Sequence, residues 1–260
     1  MTTVPYHAIV YGPLKSRRLG TSLCVTPVPT PRENCASDCI YCKTGVAASI
    51  PIISRVKGTP SSGVVVTSVA RRLIEMQRAG EKIESLVVTG DADPTAHGHL
   101  LEISENLRDL RNKWFPKADL ALVCESLALA CPELRAVCTI YDQPIFRFEW
   151  GTAKTYESFR PGATLEYKTL YERIAQIDRV MLQASFVQGA LDNSSDKEVT
   201  AWIKKLEDLR PREVQLTTPE GTRKGVKPIS ASRLEEIAAK VTERTNAATV
   251  VVTEEAQPVG

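Results

Sequence analysis

The sequence predicts an α/β fold of parallel strands, and three observations carry that reading. Short apolar runs rich in β-branched residues recur about six times, longer stretches with helical periodicity separate them, and no low-complexity linker divides the chain. Such alternation joins parallel strands through right-handed crossovers, either as an open doubly wound sheet or as a full or partial barrel. In both architectures chemistry sits beyond the carboxyl ends of the strands.

The elements follow in order. "SLCVTPV" (22–28) is the first predicted strand, and "VVVTSVARRLIEMQRAG" (64–80) the first helix, with Gly80 marking its end. Strand "ESLVVTG" (84–90) leads to helix "HLLEISENLRDLRNKW" (99–114), and strand "ADLALVC" (118–124) to helix "LALACPELRAVC" (127–138). "PIFRFEW" (144–150), "DRVMLQASF" (178–186) and "EVQLTT" (213–218) are the remaining strands, with helices over 165–176 and 195–210, the second stopped by Pro211. "ATVVVTEEAQPVG" reads as one more short strand and a frayed tail. Two polar connections, 43–62 and 217–230, are long enough to be mobile loops over a site. At 260 residues a single α/β barrel is an ordinary solution, so one domain over 1–260 is expected, its core at about 9–242.

Composition narrows the function. A 43% hydrophobic and 25% charged chain with net charge +2 has no strong single-sign field, which argues against a broad nucleic-acid grip but leaves room for a local one. No apolar run approaches the roughly 18 to 20 residues of a membrane helix, and "MTTVPYHAIVYGPLK" lacks the build of a signal peptide, so a cytoplasmic protein is expected. Seven cysteines is an odd number, and a chain this long needs no staples, so the thiols are expected reduced and available for metal.

Three of those thiols crowd into "PRENCASDCIYCKTG" (31–45), directly after the first predicted strand. Cys35, Cys39 and Cys42 have the spacing C-x3-C-x2-C, so one compact loop can wrap three thiolates around a small inorganic core. A [4Fe–4S] cluster held this way keeps one iron open to substrate or cofactor. Structural zinc wants four ligands, usually as two separated pairs, and no second pair with that spacing exists. "CIYC" alone is a dithiol redox candidate, yet a thioredoxin-like pair needs no third cysteine upstream. Three unrelated buried thiols suit a polar loop poorly.

"NCASDCIYCKTG" resembles the signature of the radical S-adenosylmethionine (radical SAM) superfamily, with Tyr41 at its aromatic position. "YGPLKSRRLGTSL", "VVTGDADPTAH" and "VQLTTPEGTRKGVKPIS" are similar, in order and approximate spacing, to segments of uncharacterised iron–sulfur oxidoreductases related to wyosine-type tRNA-modifying enzymes. The resemblance implies a partial (β/α)6 TIM-like barrel, a [4Fe–4S] cluster on Cys35, Cys39 and Cys42, and S-adenosyl-L-methionine on the unique iron. It further implies reductive cleavage to a 5′-deoxyadenosyl radical, hydrogen abstraction from an RNA base, peptide or small metabolite, and a one-electron reductant such as flavodoxin or ferredoxin. The alternative reading is a noncatalytic zinc-binding or RNA-associated module.

By the same resemblance Tyr41 lies beside the adenine, and "GDADPT" stands where the family contacts the methionyl amino group: Gly90 permits close backbone approach, and Asp91 or Asp93 accepts from the ammonium. Aspartate here replaces the family's usual glutamate before Pro94. Glu125 or Ser126, after the third predicted strand, reaches the ribose, and Glu149, ending the fourth, reaches cofactor or substrate beside a Trp150 that is expected in the core or rim.

Several residues stay outside that scheme. Lys15, Arg17 and Arg18 either capture an anion or form a solvated basic turn, and His97 and His99 are expected as a helix-start cap rather than as ligands. Cys24 is placed facing the cavity. Cys124, Cys131 and Cys138 recur every seven residues, but small thiols on one helix face pack readily and a second cluster is not expected.

Overall fold

The structure is a computed structural model that describes residues 9–28, 59–90, 92–163, 165–219, 225–252 and 257–258. These residues fall into two compact units divided after Pro144, with residues 257–258 belonging to the first.

In the first unit, β1 (Val10–Ser16) and β2 (Gly20–Val25) form an antiparallel hairpin, and β2 runs parallel to β3 (Ser85–Val88), which runs parallel to β4 (Asp119–Glu125). A short β11 (Gln257–Pro258) pairs antiparallel with β1. Helices α1 (Ser62–Ala79) and α2 (Leu100–Trp114) make the two crossovers, and α3 (Pro132–Cys138) follows β4. Ser61 caps α1 by accepting from the Val64 amide, and Gly80 closes it in the left-handed conformation, φ 70°. Register decides which residues share a face: Leu23, Leu86 and Leu120 are partners, as are Val25, Val88 and Leu122, and all six are essentially fully buried. α2 covers this side, because its Ser104 hydroxyl pairs at 2.7 Å with Tyr141 Oη, which in turn lies beside Cys124 of the same strand face. Ser22, Cys24, Val87, Ala121 and Glu125 therefore occupy the opposite face.

The second unit repeats the pattern. β5 (Gln143–Arg147), whose residues from Ile145 on belong to this unit, β6 (Met181–Ser185), β8 (Glu213–Thr217) and β10 (Ala248–Val252) pair in that order, all parallel. α4 (Ala153–Phe159), α5 (Tyr167–Ile174), α6 (Asp196–Leu209) and α7 (Ala231–Arg244) lie between them, and β7 (Val187–Gly189) with β9 (Val226–Pro228) forms a separate antiparallel ribbon. Trp202 of α6 donates its indole N–H to the Phe148 carbonyl at 2.9 Å and meets the Phe186 ring edge-on with centroids 5.2 Å apart, which places α6 over one sheet face. Trp150, expected in the core or rim, is fully buried against Tyr156, their centroids 5.0 Å apart.

All six predicted strands are present as β2, β3, β4, β5, β6 and β8, and the tail strand as β10. The α/β class of parallel strands thus holds in each unit. The helix expected over 127–138 is broken: Pro132 drives Cys131 to an extended conformation (φ −92°, ψ 123°), separating a 3-10 turn, Ser126–Ala130, from α3. β1, α4, the β7–β9 ribbon, α7 and β11 are elements the periodicity did not single out. Among the described residues no helix is long and apolar enough to cross a membrane.

Candidate cofactor site at the strand carboxyl ends

Cys35, Cys39, Cys42 and Tyr41 lie outside the described residues, as do Asp91, most of the connection 43–62 and residues 220–224 of the second connection. The two described flanks of the cysteine segment are informative. Val28, past the end of β2, packs with Ala92 and Ala96 in a fully buried apolar cluster. Pro60, just before α1, accepts a hydrogen bond on its carbonyl from His97 Nε2 at 2.9 Å. Both flanks are thus held by one short segment, residues 92–97, which follows β3 and contains the 3-10 turn Pro94–Ala96. His97 is buried, and its Nδ1 accepts from the His99 amide at 3.1 Å, so the ring is a neutral Nε2–H tautomer that latches backbone to backbone. Burial lowers its pKa below the usual imidazole value. Sequence reasoning expected a helix-start cap; the structure instead buries His97, while His99 precedes α2 without a side-chain capping bond.

Asp93 organises the same turn. Its Oδ1 accepts from the Thr95 amide at 2.8 Å and the Thr95 hydroxyl at 2.5 Å, and its Oδ2 accepts from the Glu125 amide at 2.6 Å. Burial and then the nearby Glu125 carboxylate push its pKa above the ordinary carboxylate range. Asp93 therefore ties the loop after β3 to the carboxyl end of β4, where Glu125 and Ser126 are both buried. Gly90 completes the contact, since a Cβ there would lie 2.7 Å from Thr26 Cγ2 at the end of β2. The structure brings Gly90, Asp93, Glu125 and Ser126 to one rim of the first unit. Two hydroxyls on that rim, Thr26 Oγ1 and Ser126 Oγ, are buried with no hydrogen-bond partner among the described residues. Orphaned hydroxyls beside a buried carboxylate fit a ligand rich in hydroxyl and amino groups.

Glu149 belongs to the second unit. It is buried, and its Oε2 accepts from the Ser185 amide at 2.9 Å, fixing the end of β5 against the end of β6. Two residues that sequence reasoning missed reinforce this rim. Asn193 donates from Nδ2 to the carbonyls of Glu149 and Ser185 at 3.0 and 2.9 Å and accepts from the Val187 amide at 2.9 Å. Glu198 of α6 accepts from the Gly151 and Thr152 amides at 2.6 and 3.0 Å. Asn193 lies 44 positions from Glu149, and Glu198 lies 47 and 46 positions from Gly151 and Thr152, so these contacts give no local signal.

Lys15, Arg17 and Arg18 lie at the β1–β2 turn, at the amino end of β2, so they are remote along that strand from Thr26 and the rim. Cys24 occupies the face opposite α2, accepts from the Tyr11 side chain, and has its thiol pKa pushed up to about 11, chiefly by burial. Cys124 packs on the helix-covered face. The Cys131 thiol donates to Glu133 Oε2 at 2.7 Å and the Cys138 thiol to the Leu134 carbonyl at 3.1 Å, burial pushing Cys138 up to about 12. Among the described residues no group of three or more His, Cys, Asp or Glu side chains is placed to hold a metal ion.

No family model matches the sequence. The UPF0026 protein of Methanocaldococcus jannaschii is 26% identical over 216 residues, which cover 81% of this chain and 63% of that protein. A radical SAM methyltransferase from Sphaerobacter thermophilus matches with TM-score 0.64 at 14% identity, over 90% of this chain and 66% of that one. SuiB of Streptococcus suis bound to S-adenosylmethionine matches with TM-score 0.58 at 11% identity, over 89% of this chain and 50% of that one. The chain has the radical SAM fold. At these identities the likeness concerns fold alone, and the chain spans slightly under two thirds of the length of the M. jannaschii relative. Within that fold, Gly90, Asp93, Glu125, Ser126 and Glu149 stand at or just beyond the carboxyl ends of β3, β4 and β5.

Proposed function

We propose that this chain is a radical SAM enzyme, its two units acting as one domain over residues 1–260. In this reading Cys35, Cys39 and Cys42 hold a [4Fe–4S] cluster and the rim around Gly90, Glu125 and Ser126 holds S-adenosyl-L-methionine. One observation carries it: the segment 92–97 grips both described flanks of the cysteine loop and, through Asp93, the end of β4, where a buried serine hydroxyl lacks a partner among the described residues. Bound there, the two groups would supply radical hydrogen abstraction from a substrate, with a one-electron donor of the flavodoxin or ferredoxin class as reductant.

The chain's own residues prepare that site. Asp93 has both carboxylate oxygens engaged, so it acts as a positioning residue and leaves Asp91 to accept from the methionyl ammonium. Glu125 and Ser126 face the ribose hydroxyls as acceptor and as donor or acceptor, and Tyr41 stands at the adenine. Glu149, braced by Ser185, contributes the acidic group at the end of β5. The buried apolar cluster of Val28, Ala92 and Ala96 excludes water from the root of the cysteine loop. The substrate in this reading is an RNA base, a peptide or a small metabolite, and a chain that needs no disulfide staples supports a cytoplasmic setting.

The test is chemical. Full-length protein reconstituted with iron and sulfide without oxygen, then reduced with dithionite in the presence of S-adenosylmethionine, is expected to release 5′-deoxyadenosine, measured by liquid chromatography with mass detection. Cys39→Ala is expected to lose both iron and product. Zinc without sulfide in the purified protein, or full iron loading with no product, would overturn the assignment.

A further inference from the structure

We infer that Gln183 and Gln215 form a recognition pair for a substrate that carries a planar, uncharged –NH2 group, as in a primary amide or an aminoheteroaromatic ring. The inference deepens the radical SAM reading and rests on it for the word substrate, though the binding it describes needs neither cluster nor S-adenosylmethionine.

The pair arises from strand register. Gln183 of β6 is the partner of Gln215 of β8, and Arg147 of β5 is the partner of Gln183, so one rung of the sheet reads Arg147, Gln183, Gln215. Neighbouring residues point the other way: Phe186, of the opposite parity, meets Trp202 of α6. The glutamine rung therefore lies on the face turned away from α6. Apolar side chains would be the expected filling for two central positions of a parallel sheet, and the flanking Leu182, Ala184, Val214 and Leu216 are apolar and fully buried.

Gln183 and Gln215 are only 8% and 0% exposed, and the Oε1 atom of each is buried without a hydrogen-bond partner among the described residues. Gln215 has its amide orientation fixed. Its Nε2 donates at 2.8 Å to Glu213 Oε1, and a carboxylate only accepts, so the carbonyl oxygen is the atom left over. Buried amide oxygens rarely go without a donor in native folds, and two on one rung mark a place where a donor is brought in.

The spacing selects the donor. In-register residues on adjacent strands lie about 4.8 Å apart. A planar nitrogen with two hydrogens about 120° apart, about 2.9 Å from each acceptor, bridges oxygens about 5 Å apart. With the two oxygens at the strand spacing, one –NH2 group satisfies both glutamines at once. A full charge in so buried a place would cost far more than a neutral group, which favours a neutral amino or amide group.

The experiment is ligand binding by the full chain, followed by calorimetry and ligand-detected NMR. The probes are nicotinamide, adenine and cytosine, each beside its N,N-dimethyl counterpart. At least one amino probe is expected to bind, with its dimethyl counterpart weaker by tenfold or more. Gln183→Leu and Gln215→Leu are each expected to weaken that probe by a similar factor, whereas Gln183→Glu, which keeps acceptor oxygens, retains it. Should the leucine variants fail to fold by circular dichroism, the dimethyl comparison and Gln183→Glu decide the matter. Equal binding of amino and dimethyl probes, indifference to the leucine changes, or no binding of any amino probe overturns the inference. Competitive displacement by S-adenosylmethionine overturns it too, since the pair would then read the cofactor's adenine. If 5′-deoxyadenosine is never released while the expected binding pattern holds, the radical reading falls and the pair remains a ligand site.

Discussion

His97 shows how a single buried side chain can hold two backbones only in one protonation state. Its Nε2–H serves the Pro60 carbonyl, and its bare Nδ1 receives the His99 amide, a bond that protonation would abolish. Because burial lowers the folded pKa below 6.5, the unfolded chain takes up this proton first as pH falls. The stability contribution is therefore complete above the unfolded value and is lost as pH drops through 6.5 toward the folded value. The urea midpoint of the wild-type chain is expected to fall between about pH 7.5 and about pH 5.5 by more than that of His97→Gln, and an identical decline in both would refute the latch. Ser126 is the opposite case, a buried hydroxyl with nothing in the described fold to lose. Ser126→Ala is expected to change unfolding stability by about 0.5 kcal/mol or less while weakening S-adenosylmethionine binding several-fold, because the deleted bond exists only with ligand present. Equilibrium dialysis with labelled cofactor beside a denaturant titration separates the two effects.

At the scale of elements, the second unit depends on one close approach. Gly151, just past β5, sits so near α6 that an added Cβ would lie 2.4 Å from the Glu198 carbonyl and 2.5 Å from the Trp202 amide nitrogen. Those atoms are helix backbone and cannot swing aside, so Gly151→Ala is expected to cost about 3 kcal/mol in a urea titration, at the upper end of overpacking penalties. A loss under about 0.5 kcal/mol would show that α6 shifts freely. The same comparison explains which elements were legible. β2, β3, β4, β5, β6 and β8 announce themselves because strands packed on their helix side by Leu, Val, Ile and Phe leave short uninterrupted apolar runs. α7 keeps its apolar residues at Leu234, Ile237, Ala238 and Val241 but dilutes them with eight Ser, Arg, Glu, Lys and Thr positions, so its stripe resembles a polar connection. The β7–β9 ribbon joins three-residue segments about 37 positions apart, a pairing that no local period encodes. The placement of Gly90, Asp93, Glu125, Ser126 and Glu149 near strand carboxyl ends was legible from motif order, whereas Asn193 reaches the Glu149 carbonyl 44 positions away and Glu198 the Gly151 and Thr152 amides 47 and 46 positions away, contacts that only the fold creates.

For the whole molecule the question is how seven cysteines are divided between chemistry and packing. Each of the four in the described residues already has a packing role. Cys24 accepts from Tyr11, Cys124 sits under α2 beside Tyr141, Cys131 bonds Glu133, and Cys138 bonds a carbonyl within α3. Burial that lifts thiol pKa values to about 11 and about 12 at Cys24 and Cys138 opposes the thiolate form that iron requires. The heptad spacing of Cys124, Cys131 and Cys138 is thus the period of a packed surface interrupted at Pro132, and the proposed cluster is left to Cys35, Cys39 and Cys42. A fully reconstituted chain is expected to carry about four irons, and the combined Cys131→Ser, Cys138→Ala variant to carry the same number. Cys35→Ala is expected to lose most of the iron while the other four thiols remain slow to alkylate in the folded protein. Iron near eight per chain, or iron lost from the Cys131 and Cys138 variant, would mean that these buried thiols leave their hydrogen bonds to ligate metal.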